Sequence, residues 1–237
     1  MPATTAATFI AERVIDAELV ALAWLLVDGG CPVVVVGGAT AGDRTALAGS
    51  LVGIDPRRAV VVLDADNDPP TIARLAAYLQ GDTAIALVSD APDLERMLER
   101  LHAAPAELPY DAIRRLGVVL VMERTPDGPR VGVAHYLRPT ERDGQGHVQR
   151  RAPAVLAAWD DTGARWEHYA WGITPELADR VDRSQADFEQ RQLDRAGFLT
   201  ALARSDPMSA EQWRAVVTRY LTTEATRTPA TAQQPQY

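Results

Sequence analysis

The chain contains no lysine: all 24 of its basic residues are arginine. Chemistry that depends on a compact lysine ammonium is therefore closed to it, whatever its fold. One cysteine, Cys31, excludes a disulfide framework; at the head of an apolar run it reads as a small buried hydrophobe. The histidines, His102, His135, His147 and His168, are widely scattered, so no paired spacing points to zinc. No apolar run reaches the ~18 residues that a membrane span needs. The first eight residues lack the basic-then-apolar pattern of a signal peptide, so a cytoplasmic protein is expected. Basic residues are also outnumbered, 24 against 32 acidic, for a formal net charge of -8. That balance argues against nucleic acid as a partner.

What is present is an ordinary globular composition. The chain has 237 residues, 47% hydrophobic and 24% charged, enough for one large domain with its own core. Residues 1–13 read as a flexible lead-in and residues 14–221 as the domain. Apolar positions over 11–27 recur at helical spacing and stop at Asp28-Gly29-Gly30. Three short β-branched runs follow, at 33–36, 59–63 and 84–88, of the kind buried on both faces in a parallel sheet. Helices are expected over 45–52, 72–79 and 92–102. Runs at 116–122 and 130–137 flank Asp127-Gly128, and runs at 155–159 and 166–169 flank Asp161-Thr162-Gly163; both pairs read as hairpins. Trp159, Trp166 and Trp171 are expected to pack beneath the second. Helices over 175–182, 185–204 and 210–221 form a cap, the last opened by a Ser209–Gln212 capping box. Residues 222–237 are Thr, Ala, Gln and Pro without apolar periodicity, and a disordered tail is expected. The fold class is α/β, with a parallel-centred sheet, late β-hairpins and a helical C-terminal cap at about 175–221.

The segment closest to chemistry is Gly37-Gly38-Ala39-Thr40-Ala41-Gly42, between a buried strand and a helix. Backbone N–H groups converging at a helix N-terminus bind phosphate. The spacing Gly37-x4-Gly42 is that of the phosphate loop G-x-x-x-x-G-K-[ST]. A plain strand-to-helix turn can carry the same spacing.

Five groups of segments follow in order along the chain: Ala17-Glu18-Leu19 through Trp24-Leu25-Leu26, then Gly29-Gly30, Val33-Val34-Val35-Val36 and Gly37-Gly38; Ile54-Asp55-Pro56-Arg57-Arg58 through Leu63-Asp64; Ala91-Pro92 with Leu98-Glu99-Arg100-Leu101; Arg124-Thr125-Pro126-Asp127-Gly128; and residues 191–202 with 213–220. This series is similar to the secretion and pilus-assembly motor ATPases, above all their archaeal pilus/flagellar and tight-adherence branches. In order, the segments resemble the family's lead-in, the approach to its acidic box, the helix after its histidine box, its late hairpin and its C-terminal helices. The resemblance covers about 14–221. It implies a RecA-like P-loop NTPase fold, an oligomeric ring built either of copies of this chain or together with motor ATPase paralogues, and a membrane platform protein of a type IV pilus or type II/IV secretion system as partner. It places the chain in the cytoplasm at the inner membrane. It also implies nucleotide contact, ATP with Mg2+, by Gly37, Gly38, Ala39, Thr40, Ala41, Gly42, Asp43, Arg44, Thr45 and Asp64.

The departures from the family pattern fall on its chemistry. In the ungapped register the family lysine becomes Asp43 and its Ser/Thr becomes Arg44; one inserted residue puts Arg44 and Thr45 there instead. The acidic box reads Leu63-Asp64-Ala65-Asp66-Asn67. No strand carrying the catalytic glutamate is legible between Asp64 and Ser89, and the histidine box becomes Val88-Ser89-Asp90. Phosphoryl transfer requires charge stabilisation and a positioned water. A non-hydrolysing pseudo-ATPase without catalytic residues is therefore expected. The alternative is residual ATP binding or slow hydrolysis through Arg44, Thr45 and Asp64. The sequence leaves open whether ATP and Mg2+ bind at all. Arg57, Arg58, Arg114 and Arg115 are candidates to reach a neighbouring subunit's phosphates, or simply solvated surface.

Overall fold

A computed structural model describes residues 4–68, 72, 75, 83–142, 148, 149 and 151–226. The expected lead-in is instead a short helix, α1 (Ala6–Ala11), whose Ala6, Ala7 and Phe9 are buried. The chain turns at Arg13, which adopts the left-handed φ of 58°, and re-enters helix as α2 (Ala17–Asp28). The helix expected over 11–27 is thus broken. The reason is Asp16, whose carboxylate accepts the Leu19 N–H at 2.9 Å and so starts a new helix. From Leu19 to Val27 every residue of α2 is buried.

The three apolar runs form strands β1 (Val33–Gly37), β2 (Val60–Asp64) and β3 (Ala84–Val88). α3 (Ala41–Val52) joins β1 to β2. α4 (Leu94–His102) follows β3, and the short α5 (Tyr110–Ile113) leads to β4 (Val118–Thr125). β1 pairs in parallel with β3 on one side and β4 on the other, and β2 adds in parallel to β3. The late hairpins extend this sheet. β5 (Gly128–Tyr136) pairs antiparallel with β4, and β8 (Ala154–Asp160) and β9 (Arg165–His168) follow. The order across the seven-stranded sheet is β2-β3-β1-β4-β5-β8-β9. β6 (Glu141–Arg142) and β7 (Val148–Gln149) form a separate two-stranded ribbon.

Alternation along β1 and β3 divides the core. Val33, Val35, Ala84, Ala86 and Val88 pack toward α2 and α3. Val34, Val36, Ile85 and Leu87 pack on the opposite face with Met97 and Leu101 of α4. Cys31 is buried, as expected. Of the helix expected over 72–79, Ile72 and Leu75 are helical and buried, and the rest lies outside the described residues.

The helical end comprises α6 (Thr174–Arg180), α7 (Gln185–Ala203) and α8 (Ala210–Ala225). Ser209 and Gln212 form the expected capping box. The tail was expected from 222, but α8 runs on to Ala225 because Glu224, 5% exposed, is held in the core by an ion pair. Residues 227–237 of that tail lie outside the described residues. Trp159 and Trp166 stack edge to face with centroids 4.6 Å apart, whereas Trp171 is 79% exposed and does not pack beneath the hairpin. Among the described residues no helix is long and apolar enough to cross a membrane.

Candidate functional site

β1 and β3 are neighbours in the sheet, yet α3 leaves β1 on one face and α4 leaves β3 on the other. Helices that diverge from adjacent parallel strands open a crevice at the strands' carboxyl ends, the usual ligand position in such sheets. The glycine turn sits at this point.

Gly37 ends β1 with a φ of 108°, and a Cβ there would overlap the Met122 carbonyl of β4. Only glycine suits this position. The Gly37 N–H donates to the Ala91 carbonyl at 2.8 Å and the Gly38 N–H to the Met122 carbonyl at 2.9 Å, stitching the turn to segments on both sides. α3 begins at Ala41, so Gly42, Asp43, Arg44 and Thr45 lie in its first turns. Residues 38–40 alone make the connection.

The start of α3 is closed by its own side chains. The Thr40 hydroxyl accepts the Asp43 N–H at 3.1 Å, while the Asp43 carboxylate accepts the Thr40 N–H at 3.1 Å and the Thr40 hydroxyl at 2.6 Å. Asp43 thus supplies the negative charge that a helix N-terminus attracts. Arg44 is only 7% exposed, and its Nη1 donates to the carbonyls of Gly37, at 2.9 Å, and Ala39. Helical side chains lean toward the N-terminus, which carries this guanidinium back beneath the turn. Thr45 points elsewhere. It is exposed and lines a groove with Thr5 and Trp213.

Asp64, at the end of β2, folds onto its own turn. Its oxygens accept the N–H groups of Asp66 at 2.9 Å and Asn67 at 3.1 Å, and the Asn67 side-chain amide at 2.9 Å. Burial alone would raise its pKa; these hydrogen bonds, with the charge of Arg44, hold it below the usual carboxylate value.

Beside this turn the structure assembles a group that sequence reasoning only half found. Asp66 accepts the Ser89 hydroxyl at 2.9 Å and the Asp90 N–H at 2.6 Å, bridging the ends of β2 and β3. Arg100 of α4 donates to Asp66 at 3.0 Å and to Asp90. The Arg100 contact, ahead of a small desolvation effect, keeps the Asp90 pKa low. Asp66, Asp90, Arg100 and Pro105 border a cavity of about 390 Å³. Ser89 and Asp66 stood out by position in the sequence; Arg100 was named only within the helix segment Leu98-Glu99-Arg100-Leu101, with nothing to single it out for a site among 24 arginines.

The four other candidate arginines precede parallel strands β2 and β4, and so lie at the amino ends of the strands, opposite the end that carries the turn. Arg57 forks onto Asp55, with bonds of 2.8 and 2.7 Å. Arg114 donates to the carbonyls of Arg138 and Arg151. Among the described residues no group of three His, Cys, Asp or Glu side chains is placed to hold a metal ion. No family model matches the chain, and no curated protein matches it.

Proposed function

We propose that this chain is a RecA-like, non-hydrolysing relative of the secretion and pilus motor ATPases, acting as a structural or regulatory subunit of such a machine. Two features support the ancestry. The parallel order β2-β3-β1-β4 puts a glycine turn at the switch point, and the resemblance of segments runs in order along the chain. The observation that carries the loss of hydrolysis is Arg44. Its Nη1 is committed to the carbonyls of Gly37 and Ala39, so the cation nearest the turn braces the turn from beneath. Transition-state charge in phosphoryl transfer needs cations aimed at the phosphate. A nucleotide seated here would also meet the Asp43 carboxylate, which already occupies the helix start.

The test is phosphate release by the purified chain, alone and with an intact paralogous motor, beside calorimetric titration of ATP and ADP with Mg2+. The expected result is no turnover by the isolated chain. Turnover near about 1 per second would lie in the ordinary enzyme range and overturn this reading. Millimolar or tighter nucleotide binding that is lost in Arg44→Ala would favour residual binding through Arg44, Thr45 and Asp64.

A further inference from the structure

α1 is short and rich in alanine, and the space it leaves against the helical end of the chain is a cavity of about 340 Å³. One wall comes from the residues just before α1 and from α1 itself; the other comes from the end of α7 and the turn into α8. Ala7, Leu202 and Met208 give it an apolar floor. Such a volume, with an apolar lining that carries a few polar groups, is that of a small-molecule site. The unbranched methionine can adapt the floor to what it meets.

The polar groups at this cavity favour positive charge. Glu12 and Asp206, one from each wall, line it, and both are exposed. Among the described residues neither carboxylate has an ion-pair or hydrogen-bond partner in the chain. α7, 19 residues long, ends beside the cavity at Ala203 with no basic residue in its last turn. A helix carboxyl end bears partial negative charge and attracts cations. Among the described residues no basic side chain lines the cavity. Arg13 donates instead to the Ala164 carbonyl at 2.8 Å, and Arg204, the residue that caps α7, is exposed. The hydroxyls of Thr5 and Thr8, 3.3 Å apart, supply further acceptors.

We propose that this cavity binds a small organic cation, an amine whose ammonium donates to Glu12 and Asp206 while its apolar body lies on Ala7, Leu202 and Met208. An ammonium carries three donors and no acceptor. That suits a rim of carboxylates, hydroxyls and a helix carboxyl end, where an anionic ligand would meet only like charge. The two walls belong to distant parts of the chain, so the bound amine also ties α1 to the helical end and stabilises the folded state by mass action. Neither the glycine turn nor a nucleotide takes part, and the site stands apart from the motor ancestry proposed above.

Calorimetric titration of the full chain with 2-phenylethylamine and hexylamine, beside the neutral 2-phenylethanol and the anionic 3-phenylpropanoate, tests it. The expected result is millimolar or tighter binding of an amine, weakened by added salt, with weaker binding of the alcohol and none of the anion. Glu12→Gln and Asp206→Asn change exposed groups without partners and should leave the melting temperature unchanged. Together they should weaken amine binding about threefold or more. Ala11→Leu fills the cavity from an exposed position and should weaken it too. Failure of both amines to bind at millimolar concentrations overturns the proposal. So does an alcohol bound as tightly as the amine, or amine binding unchanged in the double charge variant or in Ala11→Leu.

Discussion

Arg195 of α7 and Glu224 of α8 face each other fork to fork, Nε to Oε1 at 2.9 Å and Nη2 to Oε2 at 2.6 Å, with 1% and 5% of their surfaces exposed. Asp28, at the end of α2, lies 2.7 Å from Nη1 of the same guanidinium, and the cation sits 4.2 Å above the Trp24 ring. One buried arginine thus joins three helices. Burial by itself would raise the Glu224 pKa, but the bonds and charge of Arg195, with the charge of Arg191, outweigh it and hold the carboxylate low.

Losing Glu224 takes two charge-assisted bonds from the buried Arg195 guanidinium and leaves it to Asp28, at a cost of up to about 3–5 kcal/mol, the range for a broken buried pair. Truncation after Leu221 should therefore lower the melting temperature sharply, and Glu224→Leu should do the same. Truncation after Thr226 should leave it unchanged. Because the folded Glu224 pKa is depressed, its contribution is present above its unfolded value near 4.5 and is lost as pH falls through the folded value. Urea unfolding of wild type and Glu224→Gln at descending pH would show the difference between them shrinking.

At the glycine turn, Gly37→Ala should cost about 1–3 kcal/mol or more, since it adds a disfavoured φ to an overlap with the Met122 carbonyl. Arg44→Ala leaves the two carbonyls of the turn without their donor and should cost about 1–3 kcal/mol. Equilibrium denaturation measures both. An unchanged midpoint for Arg44→Ala would contradict the role of this side chain as the turn's clasp.

The link between β2 and β3 should depend on its buried member. Ser89 is 2% exposed, donates to Asp66 and accepts the Ala91 N–H at 3.2 Å. Ser89→Ala should cost about 1–3 kcal/mol. Arg100, with 47% of its side chain exposed, contacts the same carboxylate through solvent-screened charge. Arg100→Ala should cost no more than about 1 kcal/mol. Thermal melts of the two variants would rank them, and a larger loss for Arg100→Ala would be the contrary result.

His168 of β9 holds Asp16 at 2.7 Å through Nε2, and Glu18 lies 3.6 Å from Nδ1. Burial opposes protonation, but the Asp16 hydrogen bond and the two carboxylate charges prevail and raise the pKa above 6.5. The sign follows from linkage. A raised folded pKa contributes stability that is full below the unfolded value and is lost as pH rises through the folded one. Wild type should therefore exceed His168→Gln in unfolding free energy by more at about pH 5.5 than at about pH 8.5. An equal gap at both pH values would refute the charged pair.

Much of this architecture was legible in the residues alone. β-branched runs such as Val33-Val34-Val35-Val36 favour strands, and Asp127-Gly128 between apolar runs sets a hairpin; burial on both faces held for β1 and β3 but not for β2, whose Val60 is exposed at the sheet edge. Ser209 with Gln212 marked a helix start because the hydrogen bonds are local. Tertiary structure decided what depends on distant partners. No periodicity announces that Glu224 will meet Arg195, so the end of α8 was invisible until the ion pair formed. The spacing Gly37-x4-Gly42 indicated a turn. The direction of the Arg44 guanidinium, toward the carbonyls of Gly37 and Ala39, was decided by the helix that starts at Ala41. Pairing order was likewise a tertiary outcome. Three similar apolar strands can be arranged in several ways, and burial on both faces of β1 and β3 left β2 at the edge with its charges divided between its ends.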